Sequence, residues 1–335
     1  MAKKLPVERT HELLVKAEEE TNPEFGCSPE NRDLNQKLDH GLINLDKVAG
    51  PTSHEVASWV KRIFASTNIV TKTGHGGTLD PKVTGVLPIA LNKATRVVDV
   101  LLTAGKEYIC ILKLHGDVAE SKIISTLALF EGKIYQRPPV RAAVKRVVRV
   151  REIYYIHILE IEGQHVLFRV GCEAGTYVRK LCYDLGEVLG CGAHMEELRR
   201  TRSGPFTEDA TLIPLQDLAD ALYYWQIDED DRDLVRILYP MEIAFSHLPH
   251  VIVRDSAIDP ICHGANLTAP GILKLDRDIK KEDVVGIFSQ KNEIIAIGKS
   301  LANAQDMMDA QNGFMVETSR VFMDPLTYPK WQKKP

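Results

Sequence analysis

The sequence is informative first for what it does not contain. Among its 335 residues no apolar run approaches the ~18 needed for a helix to cross a bilayer. Its start, MAKKLPVERTHELLVKAEEE, is basic but has no apolar core, so it does not read as a secretory signal peptide and a cytoplasmic protein is expected. The six cysteines (Cys27, Cys110, Cys172, Cys182, Cys191, Cys262) form no CxxC pair. That argues against a zinc ribbon and a disulfide framework and fits reduced thiols. There is no GxxxxGK[ST] to cradle a nucleotide phosphate, and the histidines show no spacing such as HExxH, so the sequence suggests no metal. Internal repeats and low-complexity blocks are also missing.

What remains is an ordinary globular composition, 44% apolar and 26% charged, long enough for about two domains. The formal charge is -4, which taken alone argues mildly against a nucleic-acid partner. The charge is uneven, however. Residues 208–233 hold nine acids and one base, a local charge of -8, and leave the rest of the chain at +4. A positive working surface is therefore compatible with the acidic total, and the acidic segment is a candidate docking face. Residues 136–151, QRPPVRAAVKRVVRVR, carry six bases (Arg137, Arg141, Lys145, Arg146, Arg149, Arg151) and no acid. Interleaved valines make this stretch either a solvated strand face or a strip for phosphates. ELRRTRSGPF adds Arg199, Arg200 and Arg202.

The polar residues 1–40 read as a loop-rich tail, either disordered or tied down on another domain. TSHEVASWVKRIFAS reads as a helix, with Thr52 and Glu55 at capping-box spacing. KEYICILKL (106–114), REIYYIHILEIEG and HVLFRVGC read as strands. TYVRKLCYDLGEVLG reads as a helix with Val178, Leu181, Cys182, Leu185 and Val188 on its apolar face and Gly190 at its stop. After residue 249 short strands recur (GILKLD, DVVGIFS, EIIAIGKS, FMVETSRVFM), with a hairpin turn at Lys291-Asn292, which suggests a small all-β domain over 249–325.

The chemistry centres on GHGGTLDPKVTGVLPIAL, residues 74–91. One carboxylate, Asp80, stands alone in it, between glycines that let other groups approach and residues that restrict the backbone. A lone Asp in a turn is most often a cap or turn former. Held rigidly, it is also suited to nucleophilic work on a sugar or an electrophilic ring carbon. Such an acid needs a cation beside it to stay ionised, and Arg179 is the candidate, against the plain reading of a surface arginine. Tyr108 reads either as a core tyrosine or as a platform for a nucleobase taken out of its stack.

This loop resembles the catalytic motif of the TruB family of RNA pseudouridine synthases. DKVAGPTSHEV, GKEY, EGKIYQRPPVRAAVKR, VGCEAGTYVRKLCYDLGE and GAHMEELRRTRSGPF resemble the same family in the same order, and CHGANLTAPGI resembles the start of a PUA domain. The likeness covers roughly residues 40–320 and is nearest to the dyskerin-type branch, the catalytic subunits of box H/ACA ribonucleoproteins in their compact archaeal form. It implies an α+β fold: a mixed/antiparallel-sheet catalytic domain over 41–248, a β-barrel-like PUA domain over 249–325, an N-terminal segment (1–40) on the PUA domain and a basic tail over 326–335. It implies that Asp80 is the nucleophile, that Tyr108 stacks on the flipped uracil, and that Arg179 pairs with Asp80. Leu198 would pack against the target base, and His75 would contact RNA near it. Gly264, Ala265, Asn266 and Gly271, with Arg141, Lys145 and Arg146, would hold a guide RNA. The implied partners are that guide, substrate rRNA or tRNA, a small zinc-ribbon-like subunit, a β-barrel subunit and a kink-turn-binding protein. No cofactor is implied. The reaction breaks the N1-glycosidic bond of uridine and rejoins the ring through C5, either by attack of Asp80 on C1′ or through a glycal. A guide-independent tRNA T-loop enzyme and an inactive RNA-binding scaffold are the competing readings. One departure is visible: Lys47-Val48-Ala49-Gly50 stands where the family usually has Lys-Pro-Pro-Gly, which suggests a looser turn.

Overall fold

The computed structural model describes residues 4–138 and 145–330. The chain divides into two compact units, residues 1–8 with 38–239 and residues 9–37 with 240–335. Among the described residues no helix is long and apolar enough to cross a membrane.

The first unit is built on a ten-stranded sheet. Its path runs Tyr239–Pro240, Gly41–Lys47, Thr84–Leu91, Ala193–Ser203, Lys106–Leu114, His165–Cys172, Arg149–Glu162 and Gly132–Gln136, with Thr73–His75 beside Thr84–Leu91 and Phe206–Thr207 beside Ala193–Ser203. From Gly41–Lys47 onward neighbours pair antiparallel except Thr84–Leu91 with Ala193–Ser203, which is parallel. Strict alternation places Tyr108, Cys110, Leu112 and Leu114 on the buried face of Lys106–Leu114. Helix Val178–Leu189 closes that core with Val178, Leu181, Cys182 and Leu185. Leu189, not Val188, completes its apolar face. At about 100° per residue, position 189 returns to the azimuth of 178, whereas Val188 turns away and is 53% exposed. Gly190 ends the helix in the left-handed region, at φ 81°. The helix Ser53–Ile63 begins with the expected capping box between Thr52 and Glu55. The acidic segment forms helices Leu215–Asp228 and Arg232–Ile237, which bury Leu218, Ala221, Leu222 and Leu234 and leave most of their acids outside.

The second unit has a seven-stranded sheet in the order Leu13–Val15, Ile272–Asp276, His250–Val253, Val284–Phe288, Ile294–Ser300, Phe314–Val321, Leu267–Thr268. Its core holds Val251, Leu275, Ile287, Ile295 and Val316. Asn292, at φ 63°, makes the hairpin turn between two of its strands. The unit is not all-β. Helices Asp255–Cys262 and Ala304–Asp309 lie in it, the first obscured in the sequence by Pro260 inside it. The N-terminal segment adds an edge strand here, Leu13 opposite Asp276 and Val15 opposite Lys274.

Candidate active site

Asp80 lies in the connection between strands Thr73–His75 and Thr84–Leu91. A turn closes behind it, with the Val83 N–H donating to the Asp80 carbonyl at 3.0 Å. Leu79 and Val83 flank it and are buried, so the peptide chain is anchored by apolar contacts on both sides of the acid. Polar contacts fix it further. The Ser53 hydroxyl accepts from the Leu79 N–H at 2.8 Å. The Gly50 N–H donates to the Pro81 carbonyl at 2.9 Å. Lys47, fully buried, donates from Nζ to the carbonyls of Val48, Pro81 and Val83 at 3.0, 3.0 and 2.8 Å. The turn that lacks the two prolines is thus not loose: its lysine and glycine both hold the Pro81 carbonyl.

From the other side Arg200 donates to the carbonyls of Val86 and Gly77 at 2.7 and 3.0 Å. It is 1% exposed. Gly85 stands opposite it in the parallel pair and must be glycine: its φ is 103°, and a β-carbon would lie 2.2 Å from the Arg200 carbonyl oxygen. Burial and nearby cations depress the lysines. Lys106 is held well below its ordinary pKa by burial and then by Arg200.

The side chain of Asp80 emerges from this frame and pairs with Arg179 of helix Val178–Leu189; the two are 53% and 52% exposed. The pair lies at a cavity of about 1180 Å³, large enough for a nucleoside and its neighbours. Ile109, Ile111, Leu167, Met195 and Leu198 give it an apolar wall, and Tyr177 lines it beside Arg179.

The structure brings Asp80, Arg179 and Leu198 to one cavity. Tyr108 is more withdrawn. It is 9% exposed, belongs to the core cluster with Leu79 and Val83, and stands in register with Arg200. Burial raises its pKa, and Arg200 pulls the other way. His75 is half-buried, with Nδ1 unpartnered, and burial followed by Arg200 and His54 lowers its pKa. Of the basic strip, Arg141 lies outside the described residues, while Lys145 and Arg146 are exposed.

The other arginine cluster is corrected. Arg200 is a buried clamp, Arg199 pairs with Asp46 and Glu208, and Arg202 pairs with Glu8. Strand alternation buries Arg200, and local acids balance Arg199, which lines the same cavity as Asp80, and Arg202. In the second unit Gly264 (φ 88°), Ala265 and Asn266 are exposed, but Gly271 is buried. A β-carbon on Gly271 would meet Leu267 at 2.9 Å, so this glycine serves packing. Lys47 and Ser53 are the site-building residues that sequence reading missed. Their only signal is a lysine in an otherwise apolar strand and a serine at a helix start.

Comparison with known proteins settles the lineage. Family models match residues 61–122 (TruB family pseudouridylate synthase, N-terminal domain), 179–246 (tRNA pseudouridylate synthase B C-terminal domain), 2–57 (DKCLD domain) and 249–322 (PUA domain). A probable tRNA pseudouridine synthase B of Methanopyrus kandleri is 54% identical, over 98% of this chain and 96% of that protein. The chain belongs to the TruB family of pseudouridine synthases. Members of this family are isomerases that act on RNA. A probable tRNA pseudouridine synthase B of Pyrococcus horikoshii is likewise 54% identical to this synthase, over 97% of each chain. Among solved structures, a chain of a Cbf5-Nop10-Gar1 complex superposes on it with a TM-score of 0.92 and 53% identity, covering 98% of this chain and 99% of that one. A chain from an H/ACA RNP bound to a substrate RNA containing 2'-deoxyuridine gives 0.90 and 50%, over 98% and 100%.

Proposed function

We propose that this synthase is the catalytic subunit of an RNA-guided particle that isomerises uridine to pseudouridine in ribosomal RNA and also in tRNA, in the cytoplasm. The observation that carries the chemistry is the Asp80–Arg179 pair at the mouth of a cavity with an apolar wall. Asp80 is the nucleophile, aimed and charge-balanced by Arg179. The flipped uracil lies against Leu198, Tyr108 stacks on it, and His75 meets the RNA beside it. The C1′–N1 bond breaks, the uracil turns over, and a C1′–C5 bond forms. N1 gains a proton and C5 loses one, so the product is an isomer and nothing is consumed. A rigid loop suits this step, because a small misplacement of the acid relative to the sugar slows the reaction strongly.

The guided reading draws support from the full-length likeness to chains of a Cbf5-Nop10-Gar1 complex and an H/ACA RNP. On that reading residues 249–325 hold the guide's 3′ ACA end near Gly264, Ala265 and Asn266, and of the N-terminal segment residues 9–37 belong with them. The zinc-ribbon-like, β-barrel and kink-turn-binding subunits complete the particle. Lys145 and Arg146 are exposed where they can meet phosphates. The relatives named tRNA pseudouridine synthase B favour a second reading, a guide-independent tRNA enzyme.

One assay separates the two. Pseudouridine is mapped in a target rRNA fragment and in tRNA, with purified chain alone and with matching guide and partner subunits. Turnover of the rRNA site only with guide and subunits supports the guided reading; equal turnover without them overturns it. Asp80→Ala is expected to reduce conversion at least ~10³-fold, about 4 kcal/mol of barrier, while RNA binding is retained. Surviving conversion would remove Asp80 from the role of nucleophile.

A further inference from the structure

The second unit contains a polar cluster that pseudouridine formation does not use. His11 comes from the N-terminal segment, His250 starts strand His250–Val253, and Asp276 ends the neighbouring strand Ile272–Asp276. One donor atom from each of the three lies within 4.8 Å of the others. The imidazoles stack at 4.0 Å between centroids, 14° from parallel.

His11 is held by a backbone carbonyl. His11 Nε2 is 3.0 Å from the Ser246 carbonyl oxygen, which makes that nitrogen the N–H donor and leaves Nδ1 turned to Asp276 Oδ2 at 2.7 Å. The His250 ring is largely buried beside the Phe245 carbonyl. Its Nε2 is buried and has no partner. Asp276 has a side chain only 1% exposed. Its Oδ2 also accepts from the His250 N–H at 2.7 Å, while Oδ1 is buried without a partner.

A proton shared by His11 and Asp276 accounts for one contact of this cluster. It leaves two buried acceptors, His250 Nε2 and Asp276 Oδ1, with nothing to accept. Unpaired buried acceptors are costly, and the centre needs a donor or a positive charge. A histidine whose outer N–H is held by a carbonyl while its inner nitrogen faces a carboxylate, as in His11, is the arrangement in which an ion can enter between the two. Two imidazole nitrogens and a carboxylate oxygen form a donor set that suits zinc. The Ser246 hydroxyl, also buried and unpartnered, is available nearby. Arg9 is the adverse charge, and it is drawn off by its pairing with Asp278.

We propose that His11, His250 and Asp276 form a binding site for a divalent transition-metal ion, zinc being the best fit, which fastens the N-terminal segment to the seven-stranded sheet. Bonds of about 2.0–2.2 Å set tetrahedral donors roughly 3.4 Å apart. To admit the ion, His11 Nδ1 and Asp276 Oδ2, 2.7 Å apart, must open, and the stacked rings must swing so that both planes meet it. Nothing in this site depends on the synthase's reaction.

The test uses the full chain, stripped by a chelator and dialysed against micromolar zinc chloride, with metal counted by mass spectrometry. One zinc per chain is expected. His250→Gln should weaken uptake at least tenfold, and zinc should raise the thermal midpoint of the wild type but not of this variant. The exposed pair His115 and His194, 2.8 Å apart, offers a competing place, so His115→Ala must keep the zinc. Should His250→Gln fail to fold, His11→Gln replaces it, since that side chain is 25% exposed. Absence of uptake by the wild type, equal uptake by the folded ligand variant, or loss with His115→Ala overturns the proposal.

Discussion

Two groups of charges meet at the candidate active site, and they are treated in opposite ways. Asp80 and Arg179 are half exposed and paired with each other. Lys47, Lys106 and Arg200 are almost wholly buried, and among the described residues none has a carboxylate partner. Their donors go instead to main-chain carbonyls of Val48, Gly77, Pro81, Val83, Val86 and Leu101. A buried charge is tolerated only when fully hydrogen-bonded, and it then holds its acceptors tightly. The exposed pair gains little from its attraction but keeps its oxygens accessible. The synthase therefore fixes the backbone of the loop with the buried donors of Lys47 and Arg200 and leaves the reacting group wet.

The contrast can be tested from both sides. The largest effect on stability is expected from Lys47→Met, which takes the lysine's donor from the Val48 and Val83 carbonyls and one of two donors from Pro81. Unfolding in denaturant should show a loss of about 3 kcal/mol, and activity should fall with it as the Asp80 loop shifts. A loss below 1 kcal/mol would mean that water replaces the lysine and that the clamp is dispensable. Arg179→Ala should behave in reverse. Conversion of uridine should drop about 100-fold, near 2.7 kcal/mol, while unfolding changes by less than 1 kcal/mol, as for other exposed pairs. If stability fell as far as activity, the pair would belong to the scaffold.

The smallest effect concerns His75. Its pKa is depressed from 6.5 by burial, then by Arg200 and His54. The unfolded chain therefore takes up a proton that the folded chain resists. Stability from this group is complete above pH 6.5 and is lost as pH falls below it. Urea midpoints at pH 7.5 and 5.5 should differ less in His75→Asn than in the wild type. An unchanged difference would place the acid sensitivity elsewhere.

Much of the scaffold could be read in the sequence because its signals are local. Alternation in Lys106–Leu114 and the apolar face and terminal glycine of Val178–Leu189 depend only on neighbouring residues. The isolation of Asp80 was equally visible. Its pairing with Arg179 was not fixed by any local pattern, since 99 residues separate them, and a lone arginine is usually a surface group. The same habit misplaces Arg200 and Lys47, whose burial follows from their strands lying inside the sheet. Nor could ligand spacing reveal His11, His250 and Asp276, which only the fold brings together.

The strand Leu13–Val15 has a consequence for synthesis of the chain. Its partner, Ile272–Asp276, is made about 260 residues later. At roughly 5–20 residues per second, the ribosome takes on the order of 13–50 s to close that distance. Residues 38–239 emerge in the interval and can form their own core, while the first strand waits with its edge open. This sheet is thus completed only when a strand made early meets one made about 260 residues later. Slow translation prolongs the period in which that short segment is exposed to proteases and to wrong partners.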